Sequence, residues 1–319
     1  MDKGAIATRP PVELSPLPDA ESLTLAFLSA QDIKASSRET YQRALRQFFL
    51  WLKKSGKTNP DRSAILEYKA SLRDRGLSSY SLAVYIVAVR RFFEWCEGMK
   101  YYPNIARGIK TAKNSHGFKK DPLTIEQLKA LLAVIDRRTL AGLRDYALLN
   151  LLVRTGLRTI EVIRADIEDV RQQGGEALLW IQGKGADSKD QFVLLTPDTL
   201  QPIYDYLGAR GETKTGPLFA SISDRNNGER LTTRTIRRIV KERFRAIGID
   251  SNRLTAHSLR HTAITLSLKA GATIQEAQAL GRHASINTTL IYAHNIDRLK
   301  NAPERMIDQL LKESISESD

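Results

Sequence analysis

The stretch T-A-H-S-L-R-H-T, residues 255–262, places His257 and Arg260 three positions apart within a helical pattern. Side chains at this spacing lie on one face of an α-helix. The stretch therefore predicts a helix that presents an imidazole and a guanidinium side by side.

Other polar segments lie on both sides of this helix. They are R-T-G-L-R-T-I-E with Arg158 and Glu161, I-Q-G-K-G with Lys184, G-R-H-A-S with His283, and T-T-L-I-Y-A-H with Tyr292. His283 precedes Tyr292 by nine positions, so a short turn can bring the two side chains together. Each residue alone is more often structural, as a core histidine or a surface arginine. The prediction of a site depends on the combination.

The combination suits covalent attack on a phosphodiester. A tyrosine phenol, with a pKa near 10, is a weak nucleophile at neutral pH and needs a base or cationic surroundings. Two guanidiniums match the charge that spreads over the non-bridging oxygens in the transition state. A lysine can protonate the leaving oxygen as a general acid. No metal-ligand signature accompanies these residues, so we expect neither a metal site nor a cofactor.

Composition favours an anionic macromolecule as the partner. The 319 residues carry a formal net charge of +13, which is typical of nucleic-acid-binding proteins, although surface lysines can also serve solubility alone. The single cysteine, Cys96, excludes a disulfide within one chain and a cysteine-based zinc site. No apolar leader or membrane-spanning run stands out, so we expect a cytoplasmic protein without a membrane partner.

Periodicity predicts a mainly α fold with one small β-hairpin. The predicted segments are a flexible arm at 1–20, a helical domain at 21–110, a basic linker at 111–121, a second domain at 122–300 and a C-terminal tail at 301–319. Ser36 with Glu39 and Thr124 with Gln127 have the spacing of capping boxes that begin helices. Lys184 is expected near the tip of the hairpin.

Basic residues outside the polar set indicate where DNA would bind. The helix at 233–246 has an apolar stripe and a basic front with few compensating acids, although a solvated charged face is the plain alternative. The predicted contacts on that front are Arg234, Arg238, Lys241 and Arg245. Further predicted contacts are Arg43 and Arg46 in the first domain and Lys110, Lys113, Lys119 and Lys120 around the linker.

The chain resembles the tyrosine recombinases of the phage integrase family along nearly its whole length. The polar segments quoted above carry this resemblance. It implies a two-domain type, similar to chromosome-dimer-resolving recombinases and mobile-element integrases, with an N-terminal core-DNA-binding domain and a catalytic domain. It also implies double-stranded DNA recombination sites as substrate and a homo-tetramer on two sites. Accessory DNA-bending or directionality proteins are further partners that it implies.

The resemblance also implies a role for each residue of the set. Tyr292 would form a 3′-phosphotyrosine link, and His257 would assist its deprotonation. Lys184 would protonate the leaving 5′-hydroxyl. Phosphate would be bound by Arg158, Arg260 and His283, with Glu161 as a supporting acid. The family pattern is broken at Arg282, where a glycine is usual and where the arginine is expected either to contact phosphate or to be a surface substitution.

Two points stay open at this stage. The tail carries Met306, Ile307, Leu310 and Leu311 on one side of a short helix, which either docks on a neighbouring subunit or packs on its own domain. The alternative functions are a type IB topoisomerase-like DNA nicking-closing enzyme, which shares nearly the same groups, and a non-catalytic DNA-binding recombination accessory protein.

Overall fold

The computed structural model describes residues 19–111, 120–183, 185–211, 214–300 and 302–316. It divides into two compact units, Met1–Ser115 and His116–Asp319. Nearly all of the expected arm, most of the expected linker, and Lys184 lie outside the described residues. Along the described part of the chain, no helix is long and apolar enough to cross a membrane.

The described part of the first unit contains four helices. They are α1 (Ala20–Ser29), α2 (Ala35–Lys54), α3 (Arg62–Asp74) and α4 (Ser79–Gly98). Their apolar stripes meet in a core rich in aromatic rings, in which Phe48 lies edge-on to both Tyr68 and Phe93. Such edge-to-face contacts add to the burial of apolar area.

The start of α2 differs from the sequence prediction. Ser36 does not cap this helix, because α2 already begins at Ala35, with Lys34 in the cap position and no capping bond from its side chain. A serine within the first turn can no longer accept from the backbone amides that a cap residue serves.

The second unit contains nine helices and three strands among its described residues. The helices are α5 (Ile125–Ala133), α6 (Leu140–Thr155), α7 (Thr159–Arg164), α8 (Pro197–Arg210), α9 (Thr233–Ala246), α10 (Ala256–Lys269), α11 (Ile274–Gly281), α12 (Ile286–Lys300) and α13 (Pro303–Ser316). The predicted capping box of Thr124 and Gln127 is present at the start of α5. Helix α6 is buried on nearly all sides and packs against α8 and α10, so it forms the centre of this unit.

The sheet has one strand more than the predicted hairpin. Strands β1 (Val170–Gln173), β2 (Glu176–Ile181) and β3 (Gln191–Leu194) are antiparallel in the order β1-β2-β3. The sequence V-R-Q-Q of β1 lacks the apolar alternation that would identify a strand, because this strand is largely exposed. Gly174 and Gly175 join β1 to β2 with positive φ at both positions, as a two-residue hairpin turn requires.

Candidate active site

The site begins at the turn between α6 and α7. Gly156 ends α6 in the left-handed region, with φ 61°, which glycine adopts without strain. Two residues later Arg158 stands at the N-cap of α7. Its backbone amide and its Nη1 donate to the two carboxylate oxygens of Glu161, at 2.7 and 2.6 Å. Glu161 is fully buried, and its two hydrogen bonds fix the orientation of Arg158.

The second arginine of the set comes from α10. Arg260 is 2% exposed, and its Nη1 donates to the Gly156 carbonyl at 2.6 Å. Its Nη2 has no hydrogen-bond partner among the described residues. Burial, together with the charges of Arg158 and Arg282, lowers the pKa of Arg260, which means that its charge is destabilised. A phosphate anion would supply both the missing acceptor and the missing negative charge.

Arg282 is not a surface residue, which corrects one of the two expectations for it. Its side chain is 7% exposed and donates to Glu161 Oε2 at 3.1 Å and to the Gly156 carbonyl at 3.0 Å. Its own carbonyl accepts from Arg158 Nη2 at 3.2 Å. Arg282 therefore braces the turn that positions Arg158, and its contact with phosphate stays a prediction.

His283 follows in the turn between α11 and α12. Its Nδ1 is 2.9 Å from the buried Thr289 Oγ1, one turn into α12. Burial and then the charge of Arg260 lower the pKa of His283 to about 4, so the ring is neutral at pH 7. A Cβ at Gly281 would lie 2.9 Å from this ring, so the glycine is needed for its position.

Tyr292 lies on α12, which is longer than the short helix expected around it. The side chain is 3% exposed, and its Oη is 2.6 Å from Nδ1 of His261. His261 was absent from the predicted set, although it directly follows Arg260. His257, the predicted proton acceptor, is exposed, and its ring centroid lies 4.6 Å from that of His261.

Two cavities border this cluster. One, of about 870 Å³, runs past Arg158 and His257 to Lys120 and helix α9. The other, of about 690 Å³, runs from Arg158 and His283 to Gly183 and Gln191 in the segment between β2 and β3. Lys184 follows Gly183 in the sequence but lies outside the described residues.

Ion pairs anchor the far end of that segment. Lys189 Nζ is 2.7 Å from Asp166 Oδ2 and 2.5 Å from Asp169 Oδ2, and Asp166 also pairs with Arg230. Although burial opposes it, these bonds raise the pKa of Lys189, so the lysine remains charged. The segment is thereby tied to the turn that precedes β1.

The basic front predicted for α9 needs correction. Acids do compensate it, because Arg238 pairs with Glu242, and Lys241 and Arg245 both pair with Asp250. Of the four predicted residues on this helix, Lys241 is the one that lines the larger cavity. The other members of that wall are Thr233 and Arg237, which were absent from the predicted set, although the steps of four from Thr233 to Arg237 and from Arg237 to Lys241 are the signal for a shared face. Arg234 is exposed and stands outside that lining.

The remaining predicted DNA contacts are distributed over both units. Arg43 and Arg46 are exposed on α2, and Lys110 is exposed at the end of the first unit. Lys120 lines the larger cavity, and its Nζ donates to the carbonyl of Asn252. Lys113 and Lys119 lie outside the described residues. Among the residues that the structure describes, no group of three or more His, Cys, Asp or Glu is placed to hold a metal ion.

Known proteins are similar to this chain in sequence and in fold. The model of the phage integrase family matches residues 122–298, and that of its N-terminal SAM-like domain matches residues 25–98. A tyrosine recombinase of Synechococcus elongatus is 30% identical over 303 residues, which cover 90% of this chain and 93% of that protein. Tyrosine recombinase XerD of Listeria monocytogenes is 32% identical over 276 residues, which cover 84% of this chain and 89% of that protein.

A solved structure extends the likeness to the fold. The XerH site-specific recombinase in its post-cleavage complex with palindromic difH substrate aligns with a TM-score of 0.70 at 23% identity. The alignment covers 89% of this chain and 85% of that chain. The family match over more than half of the residues and the identity to the curated relatives together show which family this chain belongs to. The chain belongs to the phage integrase family and is a site-specific tyrosine recombinase, an enzyme that cleaves and rejoins DNA.

Proposed function

We propose that this recombinase attacks a scissile phosphate with the Tyr292 hydroxyl and holds the cleaved strand as a 3′-phosphotyrosine ester. The observation that carries the proposal is the buried Nη2 of Arg260, which has no hydrogen-bond partner among the described residues. Arg260 precedes His261, the residue that contacts Tyr292 Oη. A buried donor without an acceptor is a costly arrangement, and it is typical of a site that awaits its ligand.

Arg158 and Arg260 are the groups that we assign to the non-bridging oxygens. Both are fixed by acceptors on the protein, Arg158 by Glu161 and Arg260 by the Gly156 carbonyl. Donors that are already oriented need no reorganisation as negative charge develops, which is the main source of transition-state stabilisation in such sites. His283 would add a neutral hydrogen-bond donor once its ring turns toward the phosphate, because Thr289 holds only Nδ1.

We assign protonation of the leaving 5′-oxygen to Lys184. Its two neighbours, Gly183 and Gly185, allow close approach of the backbone, and Gly183 lines the cavity that also contains Arg158. The anchor at Lys189 would limit how far the intervening segment moves. Once protonated, the 5′-hydroxyl leaves, and a 5′-hydroxyl from a partner strand can attack the ester in the reverse sense. The energy of the phosphodiester is retained in the ester throughout.

Double-stranded DNA with paired recombination sites is the substrate that we propose, for integration, excision or resolution. Arg237, Lys241 and Lys120 would follow the phosphates beside the site, and Arg43, Arg46 and Lys110 would contact DNA from the first unit. We propose a homo-tetramer on two sites as the working assembly, supported by the exposed apolar face of α13. The cytoplasm is the compartment where we expect this activity.

A covalent adduct tests the proposal. A duplex is first selected for binding from a random library and then nicked beside the cleavage position, so that the released strand fragment diffuses away and traps the ester. The wild-type chain should form a DNA adduct that survives denaturing electrophoresis. Tyr292→Phe removes only the hydroxyl, so it should bind equally and form no adduct. An adduct of undiminished yield with Tyr292→Phe would refute this role.

A second assay separates recombination from simple nicking and closing. Two selected sites on one plasmid should yield products with the intervening segment deleted or inverted. Relaxation of supercoils without any exchanged product would contradict the proposed reaction and favour a topoisomerase-like activity, since both reactions use the same covalent ester.

A further inference from the structure

The hydroxyl of Tyr292 has a defined neighbour inside the protein. Its Oη lies 2.6 Å from Nδ1 of His261, and both side chains are buried, at 3% and 7% exposure. The two rings are 5.2 Å apart between centroids. This nitrogen is therefore within the distance that a general base requires from the proton it takes.

Both groups of this hydrogen bond are neutral in the unliganded chain. Burial raises the pKa of Tyr292 to about 12, so the phenol carries its proton at neutral pH. Burial, followed by the charges of His257, Arg260 and His283, lowers the pKa of His261 to about 4, so its ring is neutral. A neutral imidazole has one acceptor nitrogen. In the tautomer with its proton on Nε2, which proton transfer from Tyr292 requires, the phenol donates and Nδ1 of His261 accepts.

We propose that His261, rather than His257, is the catalytic base that receives the phenol proton when Tyr292 attacks the phosphate. The step balances as follows in atoms and charge. The Oη–P bond forms, the O–H electron pair of the phenol stays on Oη, and the proton moves to His261 Nδ1. The P–O5′ bond breaks, and the leaving oxygen takes a proton from the general acid. In the reverse reaction the imidazolium returns its proton to the departing Tyr292.

The ligand itself makes this transfer more favourable. The charges that disfavour a proton on His261 come from His257 and Arg260 on its own helix and from His283, and Asp121 has the opposite effect. A phosphate bound to Arg260 would offset positive charge close to the ring. Binding would therefore raise the pKa of His261 as the phenol becomes more acidic during attack. In the unliganded chain the same pair remains a simple neutral hydrogen bond.

Three variants test the proposal in single-turnover adduct formation, with the nicked duplex in excess. His261→Phe removes the acceptor, and His261→Asn keeps an acceptor oxygen but cannot take a proton. His257→Phe is the matched control from the same helix. We expect both His261 variants to slow adduct formation by roughly 10²- to 10⁴-fold, the usual contribution of a general base, with unchanged DNA affinity. We expect His257→Phe to show a smaller loss.

The pH profile distinguishes a base from a merely structural histidine. Without a protein base the reaction depends on the phenolate, so the rate of His261→Asn should rise about tenfold per pH unit between pH 7 and 9. The wild-type rate should change little. A fluorinated tyrosine at position 292, whose phenol is more acidic, should restore part of the lost rate in His261→Asn.

Several outcomes would overturn the inference. They are a wild-type rate for His261→Asn, a loss that neither higher pH nor the fluorinated tyrosine relieves, or the steep pH profile in His257→Phe instead. Should His261→Phe fail to fold, His261→Asn decides alone. The inference rests on the proposed role of Tyr292 as the nucleophile, and Tyr292→Phe tests that role separately. An adduct formed by Tyr292→Phe would refute the role of Tyr292. If Tyr292→Phe forms no adduct and the His261 variants react at the wild-type rate, only the role of His261 as the base is refuted.

Discussion

Arg282 illustrates how one residue can shape a site through hydrogen bonds within the protein. Its backbone has φ 47°, in the left-handed region, which costs a residue with a side chain about 1–2 kcal/mol of free energy. That strain is offset by bonds from its guanidinium to Glu161 and to the carbonyls of Gly156 and Leu280. One buried carboxylate thus holds two guanidiniums, and the surplus positive charge is left for an anion.

This arrangement predicts different stabilities for two substitutions. Arg282→Ala loses the bonds to Glu161 and keeps the backbone strain, so we expect about 2–3 kcal/mol lower free energy of unfolding. Arg282→Gly loses the same bonds but relieves the strain, so it should be about 1 kcal/mol more stable than the alanine variant. Urea unfolding of both variants measures the difference. Equal stabilities would contradict the strain at this position.

His261 predicts a pH dependence of stability. Its pKa is about 4 in the folded chain and near 6.5 when unfolded, so the unfolded state binds a proton that the folded state excludes. The corresponding stability is complete above pH 6.5 and is lost as pH falls toward 4, by up to about 1.4 kcal/mol per pH unit. Urea unfolding at pH 7, 6 and 5 should show a weaker dependence for His261→Asn. His294→Asn, at an exposed position of α12, should keep the wild-type slope.

At the level of single elements, neighbouring basic residues of α9 have different surroundings. Thr233, Arg237 and Lys241 line the larger cavity beside His257, whereas Arg234 lies outside that lining. Net charge cannot distinguish Arg234 from Arg237, because both are basic and exposed. The distinction comes from the position of each side chain relative to the cavity.

A matched pair of substitutions tests this distinction. Arg237→Ala should weaken DNA binding and reduce the slope of log affinity against log salt concentration by about 0.9, the value for one lost phosphate contact. Arg234→Ala removes the same charge from a position outside the cavity lining and should leave the slope nearly unchanged. Fluorescence anisotropy at several salt concentrations measures both. A larger change for Arg234→Ala would contradict the assignment of the cavity wall to DNA.

At the scale of the whole molecule, α13 presents an exposed apolar side. Met306, Ile307, Leu310 and Leu311 are between 55% and 66% exposed. Among the described residues, burial of this side against its own domain, one of the two possibilities left open by the sequence, is therefore not seen. An apolar helix face of this kind fits a neighbouring subunit of the proposed tetramer, because association would bury it.

Charged substitutions on that face test the assembly. The double variant Ile307→Glu with Leu310→Glu should change the free energy of unfolding by less than about 0.5 kcal/mol, as exposed positions do. It should nevertheless weaken the assembly of tetramers on two-site DNA, measured by analytical ultracentrifugation. Arg305→Gln with Gln309→Glu on the polar side changes the net charge by the same amount and is the control. Unimpaired assembly in the apolar-face variant would exclude this role for α13.

The sequence by itself indicated most of the helices, the turn at Gly156 and the polar segments from which the site is built. Helical period and capping are properties of neighbouring residues, so His257 with Arg260 and Thr124 with Gln127 could be read directly from their spacing. Local patterns failed where a strand is exposed, as in β1, and where a helix starts without a side-chain cap, as at Lys34.

Only the tertiary structure decided which partners these residues meet. His261 contacts Tyr292 across 31 positions, and Arg282 reaches Glu161 across 121, so no local pattern could pair them. The burial of these groups depends on how α10, α11 and α12 pack around the turn after α6. This burial in turn shifts the pKa of His261, of His283 and of Tyr292. Spacing selects the face on which a side chain lies, but packing between distant segments selects its neighbour, its solvent exposure and therefore its chemistry.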